Sequence, residues 1–548
     1  MATCAVVAVV ASGCGADPVQ DPANDVAFTA CSAVDCAGTL PSGAEFDIIM
    51  PEDWNGTLAI FSHRLNGLGA PRIPKSAELA TPTATPLVTP RPTERPDKKA
   101  RNKTTRKTPS PSPTPSVSIS EIQPRPGGPE VAPLWGDGDR SLADVMLQAG
   151  YAIAGANPER QGWVVADQIT AAEELYDYFT TTIATPNRVY AWGESTGGLA
   201  SARLAQVHPD WVSGALAICA PLSGPVPSFD LALDVAYATR ELLAPDLKLV
   251  DYTSADEARR ARELALTAVA RAAAGKPAQQ AAVAFIAAIG QLPNASRTQS
   301  GATWESQIEA NTEAVANLLT QSTVQRHELE QEVGGNFSGN AGTDYALRID
   351  DEQRAQLDEI KSGLTDRYLV ELGSGARISP DPDAVTAAEG QGALTGDLAV
   401  PTLTLHNALD PVYIAPNVSH YAAELAATGT EEQADLVHVF VLPPNSVGTS
   451  QPASEGVGNC NFEPRTLLGA MIQLNQWVRN GIYPGRDSLR DSFKNQPVSL
   501  DYDPGPWPQM SAVAEQPEPT ESAAAPARIG HKTRDARPAR SAHKARNR

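Results

Sequence analysis

The residues best suited to chemistry lie in the run Gly193-Glu194-Ser195-Thr196-Gly197. The apolar stretch Arg188-Val189-Tyr190-Ala191-Trp192 precedes it, and a helix-forming stretch from Thr196 to Val207 follows. A serine spaced this way between glycines, after a strand and before a helix, fits a sharp strand–turn–helix corner. Such a corner strains the serine backbone and crowds neighbouring chain against positions 193 and 197, where only glycine fits. It also sets the hydroxyl at a helix N-terminus, where partial positive charge favours developing negative charge. The matching chemistry is nucleophilic attack on a carbonyl, with the Thr196 N–H as one of two donors to the oxyanion. The alternative is a glycine-rich corner with no chemistry.

The surrounding pattern predicts the elements that would position this corner. Strands are expected over 45–50, 57–63, 151–156, 188–192 and 212–220, with helices over 141–150, 162–180 and 196–207. This alternation implies a mostly parallel sheet with helices on both faces. From Gly224 to Asp397 it gives way to Ala- and Glu-rich helical stretches, such as 255–274 and 278–292, interrupted by Gly334-Gly335-Asn336-Phe337-Ser338-Gly339-Asn340. Residues 224–397 therefore read as an inserted helical cap. The sheet resumes with strands at 398–406 and 435–442 and helices at 417–427 and 465–480. Residues 15–40 and the tail 484–548 show little pattern, and the tail is basic and disordered at its end.

The 46 prolines cluster outside these elements. Residues 71–132 combine Thr-Pro repeats, a basic run and a Ser/Thr/Pro tract. Such a segment cannot bury enough apolar surface to offset chain entropy, so it reads as a disordered insertion within one domain. Closure cost grows only with the logarithm of length, which makes the insertion tolerable. Arg91 to Lys107 carries +6 and Arg528 to Arg548 carries +7, which leaves −34 for the rest of a chain whose formal total is −21. So acidic a body repels phosphate, and no nucleic-acid partner is expected. The basic segments are either contacts for an anionic cell-envelope polymer or solvated loops.

Neither C-x-x-C nor H-E-x-x-H occurs, so no metal site and no cofactor are expected. No run of eighteen apolar residues exists, so no spanning helix is expected. The start differs. The small apolar stretch Met1 to Ala11 leads into Ala11-Ser12-Gly13-Cys14, which resembles a lipoprotein cleavage box. Residues 1–14 then form a leader, Cys14 is lipidated, and the protein is exported to the cell surface or beyond, with a lipid anchor as its one membrane contact. The alternative is a loose apolar terminus. Cys31 and Cys36 are spaced for a local disulfide, in keeping with an exported chain.

Three further stretches add to the elbow: Ser62-His63-Arg64, Leu403 to Val412 with Asp410, and Gly458-Asn459-Cys460-Asn461-Phe462. Together they resemble exported bacterial serine hydrolases of the α/β-hydrolase superfamily. The resemblance implies an α/β-hydrolase fold over 41–70, 133–223 and 398–483, with Ser195 as nucleophile and Asp410 as triad acid. It implies that the loop after His63 supplies the second oxyanion N–H. That strand ends Ser-His-Gly in these enzymes, and Arg64 stands at the glycine position here, with Gly67 or Gly69 as other sources of flexibility. It also implies a Cys219–Cys460 disulfide. The resembling motif reads Gly-His-Cys-Asn-Phe and its histidine is the general base, so Asn459 occupies the base position. Asparagine cannot accept a proton from serine at neutral pH. His63, His406 and His438 remain as other histidines to weigh, each readable as structural. The implied activity is hydrolysis of small-molecule carboxylic esters with impaired or altered catalysis. The competing readings are a non-catalytic ligand- or envelope-binding protein, and a scaffold whose basic segments do the work.

Overall fold

The computed structural model describes residues 19–21, 26–31, 35–64, 131–132, 142–160, 162–428, 435–445, 449 and 455–508. Cys14 and its leader, Gly67 and Gly69, residues 71–130 of the expected insertion, and the basic tail lie outside the described residues.

The strands are β1 (Val19–Asp21), β2 (Val26–Cys31), β3 (Asp35–Thr39), β4 (Glu45–Ile49), β5 (Thr57–Ser62), β6 (Tyr151–Asn157), β7 (Arg188–Glu194), β8 (Gly214–Ile218), β9 (Thr402–Asn407), β10 (Leu436–Val441) and β11 (Val498–Ser499). They form one sheet in the order β1-β2-β3-β4-β6-β5-β7-β8-β9-β10-β11. From β6 to β10 every pairing is parallel, and the flanking pairs are antiparallel. The chain leaves β5 for β6 on one side and then crosses to β7 on the other. Such a reversal, here beyond the C-terminal ends of β5 and β7, is the place where open α/β sheets bind ligands. A mostly parallel sheet with this crossover and helices on both faces is the α/β-hydrolase fold.

Strand periodicity builds two cores, because successive side chains point to opposite faces. Leu58, Ile60, Val189, Ala191, Ala215 and Ala217 face α2 (Val165–Tyr178), α3 (Thr196–Val207) and α12 (Asn417–Ala427). Ala59, Phe61, Tyr190, Trp192, Leu216 and Ile218 face α1 (Leu142–Gln148), α13 (Pro464–Asn480) and α14 (Arg486–Ser492). Two expectations are corrected at the ends. The stretch 15–40, read as showing little pattern, contains β1, β2 and β3, which extend the sheet antiparallel. Residues 484–508 are not patternless: Leu489 and Phe493 are buried under the sheet and β11 pairs with β10. Both segments are short and add to edges already nucleated by stronger strands, so their own periodicity is faint. The insertion also ends earlier than 132, since Val131 and Ala132 are buried in the core.

Residues 224–397 are helical as expected: α4 (Pro225–Leu242), α5 (Ala255–Ala273), α6 (Pro277–Ile289), α7 (Trp304–Thr320), α8 (Arg326–Val333), α9 (Asp351–Ile360), α10 (Leu364–Ser374) and α11 (Pro382–Gly390). They enclose an apolar core of their own. The cap docks on the sheet domain through Phe229, Leu329, Phe337, Ala384 and Ala388, packed against Trp163, Val165, Leu199 and Ala200. Leu199 and Ala200 belong to the first turns of α3, so the cap is seated directly on the helix that follows Ser195.

Two buried arginines organise the cap. Arg326 donates to Asn336, to Ser338 and to the Phe229 carbonyl, and lies against the Phe229 and Phe337 rings. The Gly/Asn motif therefore clamps α8 to α4. Its first glycine, Gly334, sits at φ 84°, the left-handed turn that ends α8. Arg348 donates to Asp234 at 3.0 Å, and the Tyr345 hydroxyl donates to the same carboxylate at 2.7 Å. Removing Arg348 leaves the Asp234 charge buried without its cation. We expect Arg348→Met to destabilise the protein by about 3–5 kcal/mol. Urea unfolding measures this, and Asp234→Asn in the same chain should recover part of the loss. A midpoint unchanged from wild type would contradict the role given to this pair.

Candidate active site

Ser195 sits between β7 and α3 with φ 57° and ψ −125°. A non-glycine residue in this region costs roughly 1–3 kcal/mol and persists only where its surroundings fix it. Its N–H donates to the Ile218 carbonyl at 2.8 Å. A Cβ at Gly193 would stand 2.4 Å from the Ser62 carbonyl oxygen, and one at Gly197 would stand 2.0 Å from the same atom. At Gly198 it would meet Ala220 and the Ile218 carbonyl at 2.9 Å. The end of β5 thus runs against the elbow so closely that only glycine fits. Thr196 is the first residue of α3, and its N–H is one of the four that no helical carbonyl can satisfy.

Arg64 follows β5 at the same end of the sheet, half-exposed, with its Nε 3.8 Å from the buried Glu194 carboxylate. The side chain at the expected glycine position is thereby paired to the residue before the nucleophile.

Asp410 follows β9 and is buried. Its Oδ1 accepts the N–H groups of Val412 at 2.8 Å and Tyr413 at 3.1 Å. Its Oδ2 accepts the Asn459 side-chain N–H at 3.0 Å. Asn459 therefore makes the hydrogen bond to the acid that a base histidine makes through its ring N–H. Burial raises the Asp410 carboxyl to about 7, against the three hydrogen bonds that favour its charged form.

The loop carrying Asn459 is held from three sides. Gly458 N–H donates to the Leu409 carbonyl at 2.9 Å, and the Asn407 amide donates to the Gly458 carbonyl at 2.8 Å. Cys460 forms a disulfide with Cys219, their Cα atoms 5.3 Å apart. Both cysteines have positive φ, 45° at Cys219 and 48° at Cys460, so the bridge joins two strained turns. From the cap, Ala295 packs with Leu409 and Val457, and the Arg297 stem lies over Gly458. At the other end of the sheet Cys36 is disulfide-bonded, and its register partner across the β2–β3 ladder is Cys31.

The three other histidines have structural surroundings. His406 Nε2 donates to the Tyr413 carbonyl at 2.6 Å, and burial lowers the ring to about 4. His406 also lies 3.9 Å from the Asp410 Oδ2. His438 pairs with Thr404 at 2.8 Å and is likewise lowered by burial to about 4. His63 has its Nδ1 2.6 Å from the Arg64 carbonyl, and its own carbonyl accepts from Gln168 at 2.7 Å.

One residue at the centre was not foreseen. Tyr413 is buried on the turn made by Asp410, and burial pushes its phenol up to about 12. Sequence reading stopped at Asp410. The available signal was the spacing Asp-Pro-Val-Tyr, in which an aspartate that binds the N–H groups two and three residues on turns the chain back and fixes the tyrosine beside it.

No protein-family model matches the chain, and no curated protein sequence matches it. Among solved structures it is similar to an esterase from Aspergillus oryzae at 12% identity over 84% of this chain and 81% of that one, with a TM-score of 0.36. It is also similar to feruloyl esterase B from Aspergillus oryzae (12% identity, 87% and 86% covered, TM-score 0.34). Candida antarctica lipase A gives 10% identity, 86% and 82% covered, and a TM-score of 0.33. Scores this low bear on neither the fold nor the chemistry, which rest on the strand order and the geometry above.

The raised Asp410 pKa makes a pH prediction. The unfolded carboxyl titrates near 3.8 and the folded one near 7, so the folded state holds a proton that the unfolded state releases. The stabilisation linked to that proton is complete below about pH 4 and is lost as pH rises to about 7, at up to ~1.4 kcal/mol per pH unit. Asp410→Asn removes it. We expect the unfolding free energy of wild type to fall relative to Asp410→Asn across this window. Parallel curves would show that Asp410 ionises in the fold as it does in water.

Proposed function

We propose that this chain is a serine hydrolase acting on small-molecule carboxylic esters, with Ser195 as nucleophile and Asp410 as triad acid. The observation that carries the reading is the elbow. A serine held at φ 57° by a carbonyl that admits only glycine on either side is strain without structural benefit unless the hydroxyl is used. The Thr196 N–H and the N–H of the Arg64 segment are the oxyanion donors in this reading, and the cap seated on α3 shapes the substrate pocket. Catalysis is impaired because Asn459 keeps the hydrogen bond to Asp410 but cannot accept the serine proton.

A second reading is a non-catalytic fold that binds an ester-like ligand or an envelope component in the same crevice. The observation favouring it is that Asn459 satisfies Asp410 as a neutral amide. In either reading the chain is exported, lipidated at Cys14 and able to meet an anionic envelope polymer through residues 91–107 and 528–548. Support for export comes from the leader ending at Cys14 and from disulfides, which persist in oxidising compartments.

A fluorophosphonate probe separates the two. Slow labelling that disappears in Ser195→Ala is the expected result. A folded protein that takes up no label would sink the enzyme reading. Asn459→His supplies a base beside Asp410, and its ester hydrolysis should rise by roughly 10²–10⁴-fold over wild type. No gain would place the defect elsewhere, with Arg64 the first position to test.

A further inference from the structure

A cavity of about 440 Å³, within the usual range for small-ligand sites, lies where the cap meets the sheet domain. The sheet side contributes Arg203 of α3, Leu222 from the loop after β8, and His420 and Glu424 of α12. The cap side contributes Pro225 and Val226 at the start of α4, Glu389 near the end of α11, and Leu394. Arg203 stands eight residues along α3 from Ser195, roughly 12 Å at 1.5 Å per residue, so the cavity is separate from the elbow.

Arg203 is the unusual residue here. The buried arginines of the cap, Arg326 and Arg348, each face a carboxylate. Arg203 is half-buried, and among the described residues no carboxylate pairs with it. Its Nη1 makes two long bonds, to Gln206 Oε1 and to Thr395 Oγ1, each 3.3 Å. The cost of that burial appears as a guanidinium pKa held below its ordinary value. A guanidinium taken partly out of water without a counter-ion is costly, and an incoming carboxylate would offset that cost with paired hydrogen bonds. Glu389 and Glu424 are exposed at the rim, and neither makes an ion pair among the described residues. His420 lies edge-on to the Trp507 ring, and burial lowers its pKa, so it adds no charge near neutral pH. The cavity therefore carries one cation on α3 and two carboxylates at its rim, with apolar wall between.

We propose that this cavity binds a small zwitterion with an aliphatic body, the chemistry of an aliphatic amino acid or its dipeptide. The ligand carboxylate pairs with Arg203, its ammonium with Glu389 and Glu424, and its carbon chain lies on Leu222, Pro225, Val226 and Leu394. A bare anion would meet two rim carboxylates, and a bare cation would leave Arg203 unpaired. A neutral ester would answer neither sign, which sets this ligand apart from a substrate of Ser195. Because the walls come from both the cap and the sheet domain, the ligand joins the two and stabilises the folded chain by mass action. The site stands whether or not Ser195 reacts.

The test is calorimetric titration of the full chain near neutral pH with four probes: L-leucine, L-leucyl-L-leucine, 4-methylpentanoate and 3-methylbutylamine. The last two carry the leucine chain with the carboxylate alone or the amine alone. We expect saturable binding of leucine or its dipeptide, and binding weaker by about tenfold for each single-charge probe. Which of the two zwitterions binds more tightly sets the ligand size. Arg203→Gln should weaken the zwitterion by about tenfold or more. Glu424→Gln, at an exposed position that packing does not depend on, should weaken it by about twofold to fivefold and leave 4-methylpentanoate no weaker. That second variant decides the matter if Arg203→Gln fails to fold. Absence of binding by both zwitterions up to about 10 mM would overturn the proposal. So would 4-methylpentanoate binding as tightly as the zwitterion, or zwitterion binding undiminished in a folded Arg203→Gln.

Discussion

The Ser62 carbonyl lies where a Cβ at either glycine of the elbow would stand, and much else follows from it. That contact exists because β5 lies beside β7, which the crossover through β6 dictates. With the end of β5 pressed against positions 193 and 197, the turn cannot relax, and Ser195 is held in a backbone region it would otherwise avoid. The energy for this comes from the two apolar cores on either side of the sheet, since every residue of β5 is buried. The elbow is thus the product of the whole sheet and not of five residues.

A second constraint runs through the acid. Asp410 is buried with three hydrogen bonds to it, and one of the three comes from the residue at the base position. An amide N–H meets the structural demand of that position as well as an imidazole N–H does. It leaves the acid satisfied, the loop in place and the disulfide formed. What it removes is proton acceptance, a property with no effect on folding. Structure and chemistry are separable at this position: the amide keeps the surrounding geometry and cannot accept a proton at neutral pH.

The cap adds a third layer of dependence. It has its own core and its own buried ion pairs, yet it reaches the site at two points: α3, through Leu199 and Ala200, and the Asn459 loop, through Ala295 and Arg297. The helix after Ser195 and the loop of Asn459 are therefore both covered by one body. The Gly334–Asn340 motif has a packing task within it, satisfying Arg326.

The sequence alone determined the parallel core strands, the helical cap and the elbow, because each rests on a local period or on a glycine requirement that any fold must respect. The resemblance to exported serine hydrolases pointed to Asp410, Asn459 and a Cys219–Cys460 bridge, and the structure joins Asn459 to Asp410 and forms the bridge. The antiparallel strands before residue 40 and the segment after 484 were not legible, since short edge elements take their conformation from the neighbour they pair with. The pairing of Arg64 with Glu194 was not legible either, being a contact between the ends of two strands more than a hundred residues apart. Tyr413 is the clearest case. Three residues from an aspartate it is an ordinary tyrosine in the sequence, and only the turn made by Asp410, whose carboxylate takes the Tyr413 N–H, decides that its ring is buried at the end of the sheet.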